Sequence, residues 1–108
     1  MKKVKTIQGA KRFFRKLSKM NSRKYSLSKT CEELTELQEL LLKTLNKRYD
    51  ARPTKEQIIE ELGDVEIRLS ILKRKFGITQ KELDTRKIYK ANKFIGYVNQ
   101  KEYTDGNI

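Results

Sequence analysis

Thr54-Lys55-Glu56-Gln57-Ile58-Ile59-Glu60-Glu61-Leu62-Gly63-Asp64-Val65-Glu66-Ile67-Arg68-Leu69-Ser70-Ile71-Leu72-Lys73-Arg74-Lys75-Phe76-Gly77 decides the fold. Ile58, Leu62, Val65, Leu69, Leu72 and Phe76 recur at the period of a helix buried along one stripe. Thr54 and Gln57 have the spacing of a capping box, in which each side chain satisfies a backbone N–H of the other's turn. Lys73, Arg74 and Lys75 suit the negative end of the helix dipole, and Gly77 can adopt the left-handed stop conformation.

The same grammar extends in both directions. Downstream, Thr79 and Glu82 form a second capping box, with Ile78 and Leu83 in staple positions, opening a helix that runs to about Val98. Upstream, Tyr49 to Pro53 forms a break, preceded by a helix from about Lys29 to Arg48 in which Leu34, Leu37, Leu41 and Leu45 form the stripe. A first amphipathic helix spans roughly Val4 to Met20, with Val4, Ile7, Ala10, Phe14 and Leu17 on one side. Asn21 to Ser28 reads as the connection, with Ser26 or Ser28 as the next N-cap, and Tyr103 to Ile108 as a frayed end. Apolar periods stay near 3.6 and no hairpin signal interrupts them, so the expected class is all-α, a bundle of about four helices.

Length limits how much core that bundle can own. The chain has 108 residues, room for one domain with a modest interior, so a core completed by oligomerisation is expected. Ile67 and Ile71, on the side of the third helix away from its stripe, are expected to meet another subunit. The organisation reads as a basic helix and connection over 1–27, a helical core over 28–100 and a tail over 101–108.

Charge is distributed unevenly. Lys and Arg number 26 against 14 Asp and Glu, a net charge of +12, yet the stretch from Met1 to Thr30 holds eleven of the cations and no acid. Such an arm attracts polyanions, nucleic acid among them, or steers anionic small molecules; it also serves as a solvated face. No apolar run is long enough to span a membrane, no signal-peptide pattern opens the chain, and the lone Cys31 has no disulfide partner. A cytoplasmic setting is expected.

Against this basic background stand two similar acidic phrases, Glu32-Glu33-Leu34-Thr35-Glu36-Leu37 and Glu60-Glu61-Leu62-Gly63-Asp64-Val65. Each carries an i, i+3 carboxylate pair, Glu33 with Glu36 and Glu61 with Asp64. Residues so spaced are neighbours on a helix surface, with Cβ atoms about 5 to 6 Å apart. Measured from the leucine stripe of the second helix, Glu33 lies about 80° and Glu36 about 140° to one side, and Glu61 and Asp64 repeat that offset on the third. Packed antiparallel, the helices bring both pairs to the border of the core. Four acids at close quarters repel unless a hard cation such as Mg2+ screens them, whereas isolated acidic pairs are common on exposed helices. Gly63, which costs about 1 kcal/mol relative to Ala in a helix, is accounted for if another helix or a ligand approaches closely there.

The double motif, E-x-x-E ending at Glu36 and E-x-x-D opening at Glu61, with the wording EELTEL and EELGDVEIRL, resembles the MazG-like all-α nucleoside triphosphate pyrophosphohydrolases over about Ser28 to Val98. The resemblance implies that Glu33, Glu36, Glu61 and Asp64 bind Mg2+, with Mn2+ as a possible substitute. It also implies that basic residues on the following helix face the phosphates, here Lys90 and Lys93, where the latter stands at a position small members often fill with Arg. The implied reaction splits a (deoxy)nucleoside triphosphate between the α and β phosphates, in a homodimer or homotetramer. With no His and no activated Cys, water is the nucleophile. Glu32 is the candidate general base, or a plain surface acid near a helix start; Lys90 and Lys93 are phosphate ligands or a basic outer face. The base-binding residues are unassigned: Phe13, Phe14 and Tyr25 can stack on a nucleobase or fill the core. The rival reading is a basic helical protein that binds nucleic acid through Met1 to Thr30 or serves as an interaction module, without hydrolase activity.

Overall fold

The computed structural model describes residues 2–46 and 53–100, and among these every regular element is a helix. The order is α1 (Ile7–Met20), α2 (Arg23–Leu45), α3 (Lys55–Lys75) and α4 (Gln80–Asn99). The all-α class follows from the sequence as expected. Most of the break at Tyr49 to Pro53, the extension of α2 to Arg48 and the tail at Tyr103 to Ile108 lie outside the described residues.

Each start is set by a hydroxyl. Thr6 Oγ1 accepts from the N–H of Gly9, and Ser22 Oγ from that of Tyr25. Thr54 and Thr79 form the two expected capping boxes with Gln57 and Glu82. α3 ends at Phe76, followed by Gly77 at φ 63°, the left-handed stop that its residue type favours. The connection expected over Asn21 to Ser28 is corrected. Only Asn21 and Ser22 separate α1 from α2, because Ser22 supplies the cap one turn earlier than Ser26 or Ser28 would. Ser26 and Thr30 are then helical and buried, Thr30 Oγ1 donating to the Ser26 carbonyl at 2.7 Å.

Two compact units divide after Gly77. In the first, α3 packs on both α1 and α2. α2 and α3 run antiparallel: the Arg23 guanidinium lies 5.2 Å from the Phe76 ring centre, and that of Arg68 lies 6.0 Å from Tyr25. The second unit contains α4, none of whose residues is buried.

The rotation of the paired helices differs from the leucine-centred expectation. On α2 the covered residues include Ser26, Thr30, Glu33, Leu37 and Leu40, and on α3 Ile58, Glu61, Asp64, Val65, Arg68 and Leu72. These faces lie roughly 60° from the expected stripes, in both cases toward the acids. Leu34, Leu41, Leu45, Leu62, Leu69 and Phe76 stay exposed, and so does Leu27. The small side chains of Ser26 and Thr30 let α3 approach that side. The Thr30 hydroxyl is satisfied on its own helix, whereas Ser26 Oγ has no hydrogen-bond partner. Ile71 is also corrected. It is fully buried within the chain and so is not held back for another subunit, whereas Ile67 is half-buried and lines a groove with Ile7, Ala10 and Phe14 of α1.

Candidate metal centre

The acids expected at the border of the core stand in the middle of the α2–α3 seam. One carboxylate oxygen each from Glu33, Glu61 and Asp64 lies within 4.8 Å of the others. Glu33 Oε2 and Glu61 Oε2 are shielded from solvent and have no hydrogen-bond partner. A buried carboxylate oxygen without a donor is costly, so this is a place where a partner is missing from the protein's own atoms. Both carboxyls are pushed above the usual range. Loss of hydration is the largest cause in each, followed by the charges of Glu36 and Asp64; a side-chain hydrogen bond with Glu36 and then the charge of Glu61 add to Glu33, and the charge of Glu60 adds to Glu61.

Glu36, the fourth acid of the double motif, is exposed and stands outside the three-residue group, though its charge acts on both Glu33 and Glu61. Hard oxygen donors converging from two helices, two of them orphaned, fit a small divalent cation better than a transition metal that favours nitrogen or sulfur. No lysine or arginine neutralises the group among the described ion pairs.

Glu32 points elsewhere. Its Oε2 accepts from Lys29 Nζ at 3.0 Å on the exposed side of α2. Lys90 and Lys93 lie on α4 in the second unit, three positions apart, with the Lys90 ammonium 5.2 Å from the Phe94 ring centre. Of the aromatic candidates, Phe13 and Phe14 form a tilted pair at 6.1 Å, and Phe14 lines the groove between α1 and α3. Tyr25 is half-exposed between Lys29 and Arg68.

Gly63 borders that α1–α3 groove, but a Cβ built there meets nothing within 4 Å. No other helix makes the close approach that was one expected explanation of this glycine. Sequence reasoning did not single out Arg68, which reaches across from α3 to Asn21 Oδ1 at 3.5 Å and to the Tyr25 ring. Its signal was available: a cation on the covered side of α3, one turn beyond Asp64.

No protein-family model matches the chain, and no curated protein or solved structure matches it.

Proposed function

We propose that the protein is a Mg2+-dependent nucleoside triphosphate pyrophosphohydrolase of the MazG-like kind, cleaving between the α and β phosphates to give a nucleoside monophosphate and pyrophosphate. The observation that carries this is the convergence of Glu33, Glu61 and Asp64 oxygens within 4.8 Å, two of the carboxylates having shielded, unpartnered atoms. The duplicated motif supports it, since both copies contribute.

In this reading Glu33, Glu61 and Asp64 would hold the cation, Mg2+ or in its place Mn2+, and Glu36 would be the fourth ligand that the double motif implies. Such a cation supplies Lewis acidity toward phosphate oxygens and water. The protein's own residues do the rest. The Leu37 and Val65 side chains beside the acids limit water and strengthen local electrostatics. Glu32 stands on the exposed side of α2 in its bridge to Lys29, so service as the base for the attacking water requires its side chain to leave that bridge. Lys90 and Lys93 lie three apart on α4, and the family resemblance assigns them to phosphate oxygens.

The reading also includes a homodimer or homotetramer, in a cytoplasmic setting. Leu27, Leu34, Leu41 and Leu45 on α2 and Leu62, Leu69 and Phe76 on α3 are all exposed, and antiparallel pairing turns both rows to the same side of the hairpin. Among the described residues no helix is long and apolar enough to cross a membrane, and in this reading a second copy of the chain covers that side.

The test is a panel of canonical and modified nucleoside triphosphates incubated with Mg2+, with products identified. Monophosphate and pyrophosphate are expected. Diphosphate and phosphate would place the chemistry in another class, and no turnover with any substrate would select an interaction or nucleic-acid-binding protein instead.

A further inference from the structure

At the other end of the first unit, α1, α2 and α3 border a cavity of about 390 Å3 lined by Arg15, Ser18, Lys19, Arg23, Arg74 and Lys75. Five of the six are cations and no carboxylate lines it. Ser18 is spoken for, its hydroxyl donating to the Arg15 carbonyl at 2.7 Å. Basic residues at the ends of α1 and α3 have an ordinary use, since Lys19, Arg74 and Lys75 each lie in a last turn where the dipole is negative. The magnitudes exceed that use. Two helix C-termini contribute about −0.5 charge each and the N-terminus of α2 about +0.5, a sum of about −0.5 against five full positive charges.

We infer that this cavity holds backbone phosphates of a nucleic-acid strand. Arginine and lysine are the residues that neutralise phosphates and release condensed counterions, and three arginines supply planar forks that grip phosphate oxygens in pairs. A polymer is favoured over a single small anion because the positive charge continues beyond the cavity. Arg12 and Lys16 continue it in the sequence of α1, and no acid between Met1 and Thr30 interrupts the run; Lys11 lines the neighbouring groove with Glu66. The site is separate from the acidic seam. Ten positions of α2 separate Arg23 from Glu33, and ten of α3 separate Asp64 from Arg74, each about 15 Å along the axis. That spacing exceeds what the phosphates of one nucleotide at the acids can bridge, so strand binding and hydrolysis are independent properties.

The experiment measures fluorescence anisotropy of a labelled single-stranded oligonucleotide across a salt series in EDTA, so that hydrolysis plays no part. Arg74→Gln with Lys75→Gln, and separately Arg15→Gln with Lys19→Gln, are compared with Lys81→Gln with Lys87→Gln, an equal charge change on α4. Each cavity pair should flatten the slope of log affinity against log salt by about 1.4, at about 0.7 for each phosphate no longer neutralised. The α4 pair should leave it unchanged. Circular dichroism establishes that the variants retain their helices. Equal effects from all three pairs would reduce the site to general electrostatics and overturn the inference. Competition by inorganic tripolyphosphate as effective, per phosphate, as unlabelled strand would also overturn it, by showing that a small anion suffices.

Discussion

Replacing Ile71 by Ala tests the packing on which the acidic seam depends. The side chain is 0% exposed, on the helix that packs against both α1 and α2, and the change removes three carbons. At about 0.8 kcal/mol per buried methylene the transfer loss is about 2.4 kcal/mol. The cavity left behind brings the total to about 3 to 4 kcal/mol, inside the range of about 2 to 5 kcal/mol for such truncations. Leu69→Ala removes as many carbons from a residue 41% exposed, so about six-tenths of the transfer term, about 1.4 kcal/mol, is at stake. Urea unfolding followed by circular dichroism reads the difference. With a slope of about 1.5 kcal/mol per molar, the midpoint should fall by about 2 M for Ile71→Ala and about 1 M for Leu69→Ala. A shift under about 0.5 M for Ile71→Ala would refute the placement of that residue in the chain's own core. An equal loss for Leu69→Ala, growing as the protein is diluted, would reveal a second copy over the leucine face.

Glu36→Gln and Asp64→Asn should each abolish Mg2+-dependent triphosphate hydrolysis while the helical spectrum persists; full turnover in both would remove the acids from the reaction. Glu32→Gln should cut turnover with little change in cation affinity, measured by Mg2+ titration, whereas an unchanged rate identifies Glu32 as a surface acid. The raised carboxyls of Glu33 and Glu61 bind protons more tightly in the folded chain than in the unfolded one. Their contribution is therefore fully present below the ordinary carboxylate range and is lost as pH rises through the raised values. In EDTA the melting temperature should fall across that window, less steeply in Glu61→Gln, and a slope identical in the two proteins would contradict the coupling. Gly77→Ala forces a side chain into φ 63° and should cost about 1 to 2 kcal/mol in a urea melt; a neutral result would mean that the turn relaxes freely.

Helix boundaries with explicit chemistry were legible in the sequence. Thr54 with Gln57, Thr79 with Glu82, and Gly77 all act as their residue types require, because a cap is a local hydrogen bond that needs no distant partner. Rotation about the helix axis was harder to read. Leucine spacing pointed to Leu34, Leu41 and Leu45 as core, but Ser26 and Thr30 occupy the covered side. Hydropathy ranks those hydroxyls as surface residues, although Thr30 meets its hydrogen-bonding need on its own helix. The acids themselves were legible as a duplicated pattern. Their placement at mid-seam was not, since it followed from the same rotation. Arg74 and Lys75 read as partners of their own helix dipole, and only the meeting of three chain segments around one cavity sets them beside Arg23.

Tyr25 gives this molecule an optical property of its own. The chain has no tryptophan, so tyrosine emission is unmasked, and Tyr25 lies with Lys29 on its own helix and Arg68 on the next, at 5.8 and 6.0 Å from the ring centre. The lysine travels with the ring whenever α2 is helical, but the guanidinium arrives only when α2 and α3 are paired. The phenol thus distinguishes a formed helix from a formed hairpin. With Tyr49, Tyr89, Tyr97 and Tyr103 replaced by Phe to remove every other phenol, its emission would follow docking of the two acid-bearing helices in real time, without an added label.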